Sequence, residues 1–336
     1  YKEKRDAYIQ KWIDDRFFKN SVTWEMISPS EIKIVDRKGD SMIIDDAEGL
    51  VFRPPSEARS FILRVTIGCS HNTCRFCTMY KGSKFRIRPL AEIDGIIERA
   101  AAAMPYTRRV FLADGDALVL PVPSLLHILK SCYAAFPALT RVGAYATVAD
   151  LDRKTPEELK ALKEAGLKII YVGIESGSDK VLRYVEKGET KEQTVRACRK
   201  ALTTGMKLSA MILLGLGGES LSKEHAEETA DVISAVNPTM LSALTLMIPD
   251  DAPLKKDVDN GSFVPLTARG FLEELYLILK NITVTEPCIF RSNHVSNLFA
   301  LAGTLPEDKA KMLTSVKPYI QRLNDTLPLR NNTGNF

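Results

Sequence analysis

The sequence predicts an α/β fold, a partial (β/α)6 TIM-like barrel with an N-terminal helix and hairpin extension and a C-terminal helical segment. Three observations carry this. Apolar stretches of strand length alternate with stretches of helical period from about residue 60 onwards. The strands are near-continuously apolar, the pattern of a parallel sheet covered by helices on its faces. Capping residues mark the junctions: Thr155-Pro156-Glu157-Glu158 supplies a cap, a proline at the first helical position and a capping-box glutamate, and Thr190 with Gln193 repeats the box. Gly166 and Gly205 stand where C-terminal caps belong.

Length and charge agree with this class. A chain of 336 residues has room for one large α/β unit, and a formal charge of +4 falls well short of a dedicated nucleic-acid binder, so no DNA partner is expected. No apolar run has the length of a membrane span and no signal peptide is visible, which predicts a cytoplasmic protein without membrane contact. Clustered cysteines in such a chain argue for metal rather than disulfides.

Taken in order, three regions are predicted: 1–59, an extension; 60–250, the partial barrel; and 251–336, a C-terminal extension covering it. Tyr8, Trp12 and Ile13 among charges suit an amphipathic helix over 1–19, and residues 31–44 alternate around Lys38-Gly39 as a hairpin. The first barrel strand runs from Phe61 to Ile67 and is stopped by Gly68; Pro89 opens the helix that follows. Further units pair strand 108–114 with helix 124–136, strand 141–147 with helix 156–165, and strand 168–174 with helix 178–185. Strand 207–215 precedes helix 222–236, strand 240–248 precedes helix 267–280, and a last amphipathic helix covers 306–323. Six units make an incomplete barrel, and chemistry in such folds gathers at the C-terminal ends of the strands.

Three of the six cysteines, Cys69, Cys74 and Cys77, stand at the first of those ends. Three thiolates that close together can hold a soft metal, and a four-iron cluster bound by only three cysteines keeps one iron open for another ligand. The spacing also fits a plant-type two-iron ferredoxin if Cys198 or Cys288 supplies a fourth ligand, or a structural zinc completed by His71. Three unrelated buried thiols are the bland reading.

Other strand ends carry further candidates. The second ends in Asp114-Gly115-Asp116, a glycine flanked by carboxylates that can accept from an amino group or cap the next helix. The fourth ends in Gly173-Ile174-Glu175-Ser176-Gly177-Ser178, where small residues admit a ligand and Glu175 and Ser176 supply polar atoms. The fifth ends in Leu214-Gly215-Leu216-Gly217-Gly218, whose glycines also suit a plain turn.

Together these features resemble the radical S-adenosylmethionine superfamily, in particular the branch containing oxygen-independent coproporphyrinogen III oxidase, the methylthiotransferases and the elongator catalytic subunit. The resemblance covers roughly residues 60 to 250 and is closest over VGIESGSDKVLRYVEKGET, from Val172 to Thr190. It implies a [4Fe-4S] cluster on Cys69, Cys74 and Cys77, with S-adenosylmethionine chelating the open iron and cleaved to a 5′-deoxyadenosyl radical. It places Phe76 near the adenine, Asp114, Gly115 and Asp116 at the methionine amino group, and Glu175, Ser176 and Lys187 toward its carboxylate. The sequence departs from the family in two places. The first cysteine gap holds four residues where the superfamily usually has three, and Met211 stands where the oxidase has a ribose-binding aspartate.

For the remaining residues, Cys132 and Cys198 fall on apolar helix faces and read as core, whereas His127 and His225 fall among polar positions and read as solvated. Arg291, Asn293, His294 and Asn297 place a guanidinium, two amides and an imidazole between apolar flanks, and are the candidate substrate contacts outside the motifs. With no cobalamin-binding or RNA-binding domain visible, a small-molecule substrate is preferred over RNA. The basic run from Lys81 to Arg88 suits an acidic electron donor such as flavodoxin or ferredoxin. The competing functional classes are a non-catalytic iron–sulfur electron carrier and a zinc-stabilised binding module.

Overall fold

A computed structural model describes residues 22–28, 31–36, 45, 51–294 and 296–323. Its centre is one eight-stranded sheet, and its strands and helices follow in chain order: β3 (Phe61–Arg64), β6 (Arg109–Ala113), β7 (Arg141–Ala146), β8 (Leu167–Glu175), β9 (Lys207–Leu214), β10 (Met240–Thr245), β11 (Cys288–Ser292) and β12 (Leu301–Leu305) lie side by side in that order. All neighbours pair in parallel except β11 with β12, so β3 and β12 are open edges and the barrel is incomplete. The crossovers are α1 (Leu90–Ala103), α2 (Val122–Ala135), α3 (Val148–Arg153) with α4 (Pro156–Glu164), α5 (Asp179–Tyr184) with α6 (Lys191–Thr203), α7 (Gly218–Val236), and α8 (Lys255–Asp259) with α9 (Ala268–Asn281). After β12 comes α10 (Lys309–Arg322). The boxes at Thr155 and Thr190 form as expected, and Thr147 with Asp150 adds a third.

The periodicities explain the layers. Every second strand residue, such as Leu112, Ala144, Val172, Ala210 and Leu241, points outward and is fully buried under helix faces carrying Ile93, Ile128, Leu159, Ile233 and Leu275. Each buried Leu, Ile or Val among them contributes roughly 1.5–3 kcal/mol of burial free energy. The inner face holds a smaller cluster of Phe111, Ala113, Ile169 and Tyr171, joined by Ile62, Tyr145, Met211 and Met240. At the N-terminal end of the strands the fully buried Glu57 accepts from Tyr171 Oη at 2.5 Å and from Arg141 Nη2 at 2.6 Å, closing that end.

Several expectations are corrected. Ahead of the expected hairpin turn, β1 (Val22–Ser28) pairs antiparallel with β2 (Glu31–Asp36), a pairing the sequence did not suggest. Lys38-Gly39 and the helix expected over 1–19 lie outside the described residues. The run from Phe61 to Ile67 is not one strand: it leaves the sheet at Val65, and β4 (Thr66–Ile67) pairs antiparallel with β5 (Arg86–Ile87). The fifth helix begins at Gly218 rather than 222. Beyond residue 250, β11 and β12 extend the sheet, two five-residue strands too short to stand out in the sequence.

Candidate functional site

The cysteine loop stands at the C-terminal rim of the sheet, held from three directions. On the β6 side, Asp114 Oδ2 accepts the Gly68 N–H at 3.0 Å and Arg64 Nη2 at 3.3 Å, while the Gly115 N–H donates to Gly68 O at 3.1 Å. Asp116 accepts from the Ser70 hydroxyl. A Cβ on Gly115 would lie 2.6 Å from Cys69 Cβ, so only glycine allows the loop this close. The triplet expected at the amino group therefore also forms the seat of the loop.

On the β8 side, His71 Nε2 meets Glu186 O at 2.7 Å, and its ring fills the space where a side chain at Gly188 would go. The Arg75 N–H donates to Val185 O at 3.0 Å. Toward β10, Arg75 Nη2 pairs with Asp257 Oδ2 at 2.6 Å, Tyr184 Oη donates to the same carboxylate, and the Leu254 N–H reaches Arg75 O at 2.8 Å. Phe76 packs into the apolar cluster of Val181, Val185, Leu216, Leu246, Leu254 and Phe263, which plugs the rim between the β8, β9 and β10 loops.

All three cysteines are partly exposed and free of disulfides. Burial pushes the Cys74 thiol up to about 12, opposed by the Lys187 charge, with Cys77, Glu175 and Cys69 adding to the rise; burial also raises Cys77, with Cys69 and Glu175 adding to it. Binding a cluster here therefore releases thiol protons. Among the described residues no three His, Cys, Asp or Glu side chains converge on a single-ion point. Cys132, Cys198 and Cys288 are fully buried in the outer core layer, away from the loop.

The charges of Lys187 and Glu175 act on the Cys74 thiol. Lys187 Nζ pairs with Glu189 Oε2 at 2.9 Å, and Glu189 Oε1 in turn accepts the Val148 N–H at 3.0 Å at the start of α3. Burial opposes the charge on Lys187, but Glu189, Glu175 and Cys74 outweigh it and hold its pKa above the ordinary lysine value. Burial lifts the Glu175 carboxyl to about 7 against the pull of Lys187. Burial and the neighbouring Asp150 carboxyl raise Asp116 well above the usual carboxylate range.

The backbone is strained where these groups meet. Of the five non-glycine residues with left-handed φ among the described residues, four surround the loop: Asn72, Asp114, Glu175 and Glu186. Such conformations cost roughly 1–3 kcal/mol each and persist where the surroundings enforce them. Asp114 Oδ1 is moreover buried without a hydrogen-bond partner among the described residues, an acceptor left over at the end of β6.

Residues 63–233 match the radical SAM superfamily. The chain belongs to the radical SAM superfamily. This radical SAM enzyme uses that family's [4Fe-4S] cluster and S-adenosylmethionine, and its donor set fits them: three thiols in one loop, a glycine that lets the loop close, and a spare buried carboxylate oxygen. It is 22% identical to the heme chaperone HemW of Bacillus subtilis over 52% of its length and 48% of that protein's. It is 26% identical to a protein of Methanocaldococcus jannaschii named as a methylthiotransferase, over 58% of this chain and 46% of that one. The chain thus spans about half the length of the curated relatives it matches. Its fold is similar to coproporphyrinogen III oxidase (HemN) of Escherichia coli, with a TM-score of 0.53 and 15% identity over 66% of this chain and 52% of that chain. No described helix is long and apolar enough to cross a membrane.

The radical SAM enzyme departs from sequence expectation at several side chains. His225 is not solvated: it is fully buried against Ser176, because its helix turns a polar stripe toward strand-end backbone rather than toward water. The Ser176 hydroxyl is thereby committed inside the protein. Met211 lies on the inner face, partly exposed, among apolar neighbours. Arg291 closes β11 with its guanidinium on the Phe290 and Gly303 carbonyls. Asn293 is exposed, and His294 Nδ1 meets Ser296 Oγ at 2.8 Å. Asn297 donates to Ala243 O at 2.7 Å and accepts from the Thr245 N–H at 2.8 Å, tying the segment to the end of β10. Arg75, Gly188 and Asp257 were not legible as site residues, since no local pattern says that a helix after β10 reaches back to the loop.

Proposed function

We propose that this enzyme cleaves S-adenosylmethionine reductively and uses the radical to abstract hydrogen from a small-molecule substrate on the inner face of the sheet. The bound cluster and S-adenosylmethionine supply the electron transfer and the 5′-deoxyadenosyl radical. The protein's part is to hold, orient and exclude water. Cys69, Cys74 and Cys77 hold the cluster. Asp114 Oδ1 accepts from the methionine amino group, with Gly115 and Asp116 beside it, while Lys187 and Glu175 face the carboxylate end and Phe76 backs the adenine. The observation that carries this reading is the meeting of the loop, the spare Asp114 oxygen and the Lys187–Glu175 pair at one rim.

The inner face supports a small-molecule substrate. Tyr145, Gly173, Met211, Met240 and Ser242 keep partial exposure while their outward neighbours Ala144, Val172, Ala210 and Leu241 are buried, the reverse of a barrel filled by its own side chains. The segment carrying Arg291, Asn293, His294 and Asn297 leaves the C-terminal end of β11 and is tied through Asn297 to the end of β10, which supports its reading as a substrate-contacting segment. The exposed Lys81, Lys84 and Arg86 beside Cys77 suit an acidic flavodoxin or ferredoxin as donor. Anaerobic reconstitution and reduction with S-adenosylmethionine tests the reading: 5′-deoxyadenosine must form, with deuterium transferred from a labelled substrate. A full cluster with no 5′-deoxyadenosine refutes it.

A further inference from the structure

We propose that His225 is a positioning residue which, through Ser176, fixes the loops after β8 and β9 as one unit, and that Ser176 acts in this way rather than by touching a ligand. The position of S-adenosylmethionine along these loops rests on the function proposed above; the linkage between the loops does not.

The inference starts from the hydrogen bonds of one helix stripe. Ser222, His225 and Thr229 fall at i, i+3 and i+7 of α7 and share a face. His225 Nε2 lies 3.1 Å from Leu213 O and 3.6 Å from Glu274 Oε1, both acceptors, so this nitrogen carries the proton. Nδ1 is then the acceptor for the Ser176 hydroxyl at 2.8 Å, and Ser176 Oγ in turn accepts the Ser178 N–H at 3.0 Å. Thr229 Oγ1 accepts the Gly177 N–H at 2.8 Å. Glu274, reaching in from α9, accepts the Gly215 N–H at 2.6 Å and the Ser222 hydroxyl at 2.5 Å.

Ser176, His225, Thr229 and Glu274 are all essentially inaccessible. Each therefore needs its partners, and the partners are backbone groups of two different strand ends. Close packing points the same way. A Cβ on Gly177 would lie 2.1 Å from Glu228 O, and one on Gly215 would lie 2.3 Å from the Phe271 ring, so both loops press on helices where no side chain fits. His225 bonds to Ser176 in the loop after β8 and to Leu213 in the last residues of β9, so it ties that loop to the strand end from which the β9 loop leaves. A ligand lying across both rims meets a surface whose two halves are set by one imidazole.

The test combines calorimetric titration of the reconstituted protein with S-adenosylmethionine and hydrogen exchange of the loop peptides. Ser176→Ala and His225→Asn should each weaken binding by roughly three- to ten-fold, the loss of one net hydrogen bond. The double variant should be no weaker than the worse single one, because both changes cut the same connection. Exchange should quicken over residues 174–179 in both variants, and over 213–218 in His225→Asn. Additive losses, or weakening by Ser176→Ala with His225→Asn silent, would mean that Ser176 contacts the ligand directly and would overturn the proposal; so would unchanged exchange over 213–218 in His225→Asn. If His225→Asn does not fold, Ser176→Ala and Thr229→Val, which cut two of the bonds between α7 and the β8 loop, should weaken binding non-additively, and unchanged affinity overturns the proposal. Wild-type protein that carries the cluster but binds no S-adenosylmethionine refutes the proposed function instead, and the exchange measurement still decides the linkage.

Discussion

Gly115 lies against Cys69 with no room for a methyl group between them, since a Cβ at position 115 would stand 2.6 Å from that of the cysteine. The contact joins the end of β6 to the first thiol of the loop.

Gly115→Ala should therefore dislodge the loop. Overpacking of this kind costs about 1–3 kcal/mol, and iron bound per chain after reconstitution should fall. Gly82→Ala, where a Cβ would meet nothing within 4 Å, is the control and should keep the wild-type iron content.

The thiols should divide cleanly into ligands and packing. Cys74→Ala should lose the four-iron spectrum, while Cys198→Ala, buried in the outer layer, should keep it and lose only stability. Iron and sulfide analysis checks both, and a Cys74→Ala protein with a full cluster would sink the assignment of ligands.

Lys187→Ala removes the charged partner of Glu189 and the neighbour of Glu175. Loss of a charge-assisted hydrogen bond of about 1.5–3 kcal/mol should lower S-adenosylmethionine affinity by roughly ten- to a hundred-fold, measured by calorimetry. Unchanged affinity would mean the carboxylate is held elsewhere.

His294→Ala should leave cluster content and S-adenosylmethionine binding intact and lower productive turnover, or uncouple cleavage from substrate hydrogen abstraction. The ratio of 5′-deoxyadenosine to product reads this directly. Asn297→Ala should behave differently, because its amide holds the segment on β10 and its loss should lower the melting temperature.

The clip between α3 and α6 gives a prediction about acid stability. The hydrogen bonds from Arg196 hold the Asp152 carboxyl below its usual range. A depressed folded pKa contributes stability above the unfolded value near 3.9, which is lost as pH falls through the folded value. The gap in urea midpoint between wild type and Asp152→Asn should be present at pH 6 and should close as the pH drops below about 4.

What could be read from the sequence follows a physical divide. Cysteine spacing, apolar runs and capping boxes are local, so the cluster loop, six of the parallel strands and most helices were legible. His225 was not, because a polar helix stripe reads as solvated unless it is known to face backbone N–H groups of strand ends. The break at Val65 was hidden inside a continuous apolar run, and Glu57 looked like any surface glutamate until Tyr171 and Arg141 closed over it. The Asp114-Gly115-Asp116 triplet was legible as a site but not as the seat of Cys69, since that contact depends on how far the loop folds back.

The last clamp on the cysteine loop, through Leu254 and Asp257, comes from much later in the chain than Arg75, which it holds. On the ribosome the three thiols therefore emerge long before their seat can be completed, and the intervening parallel strands must find their partners first. Iron delivery is thus expected to follow synthesis of that later segment rather than of the cysteine loop itself, leaving the nascent chain with open thiols for as long as the sheet takes to assemble.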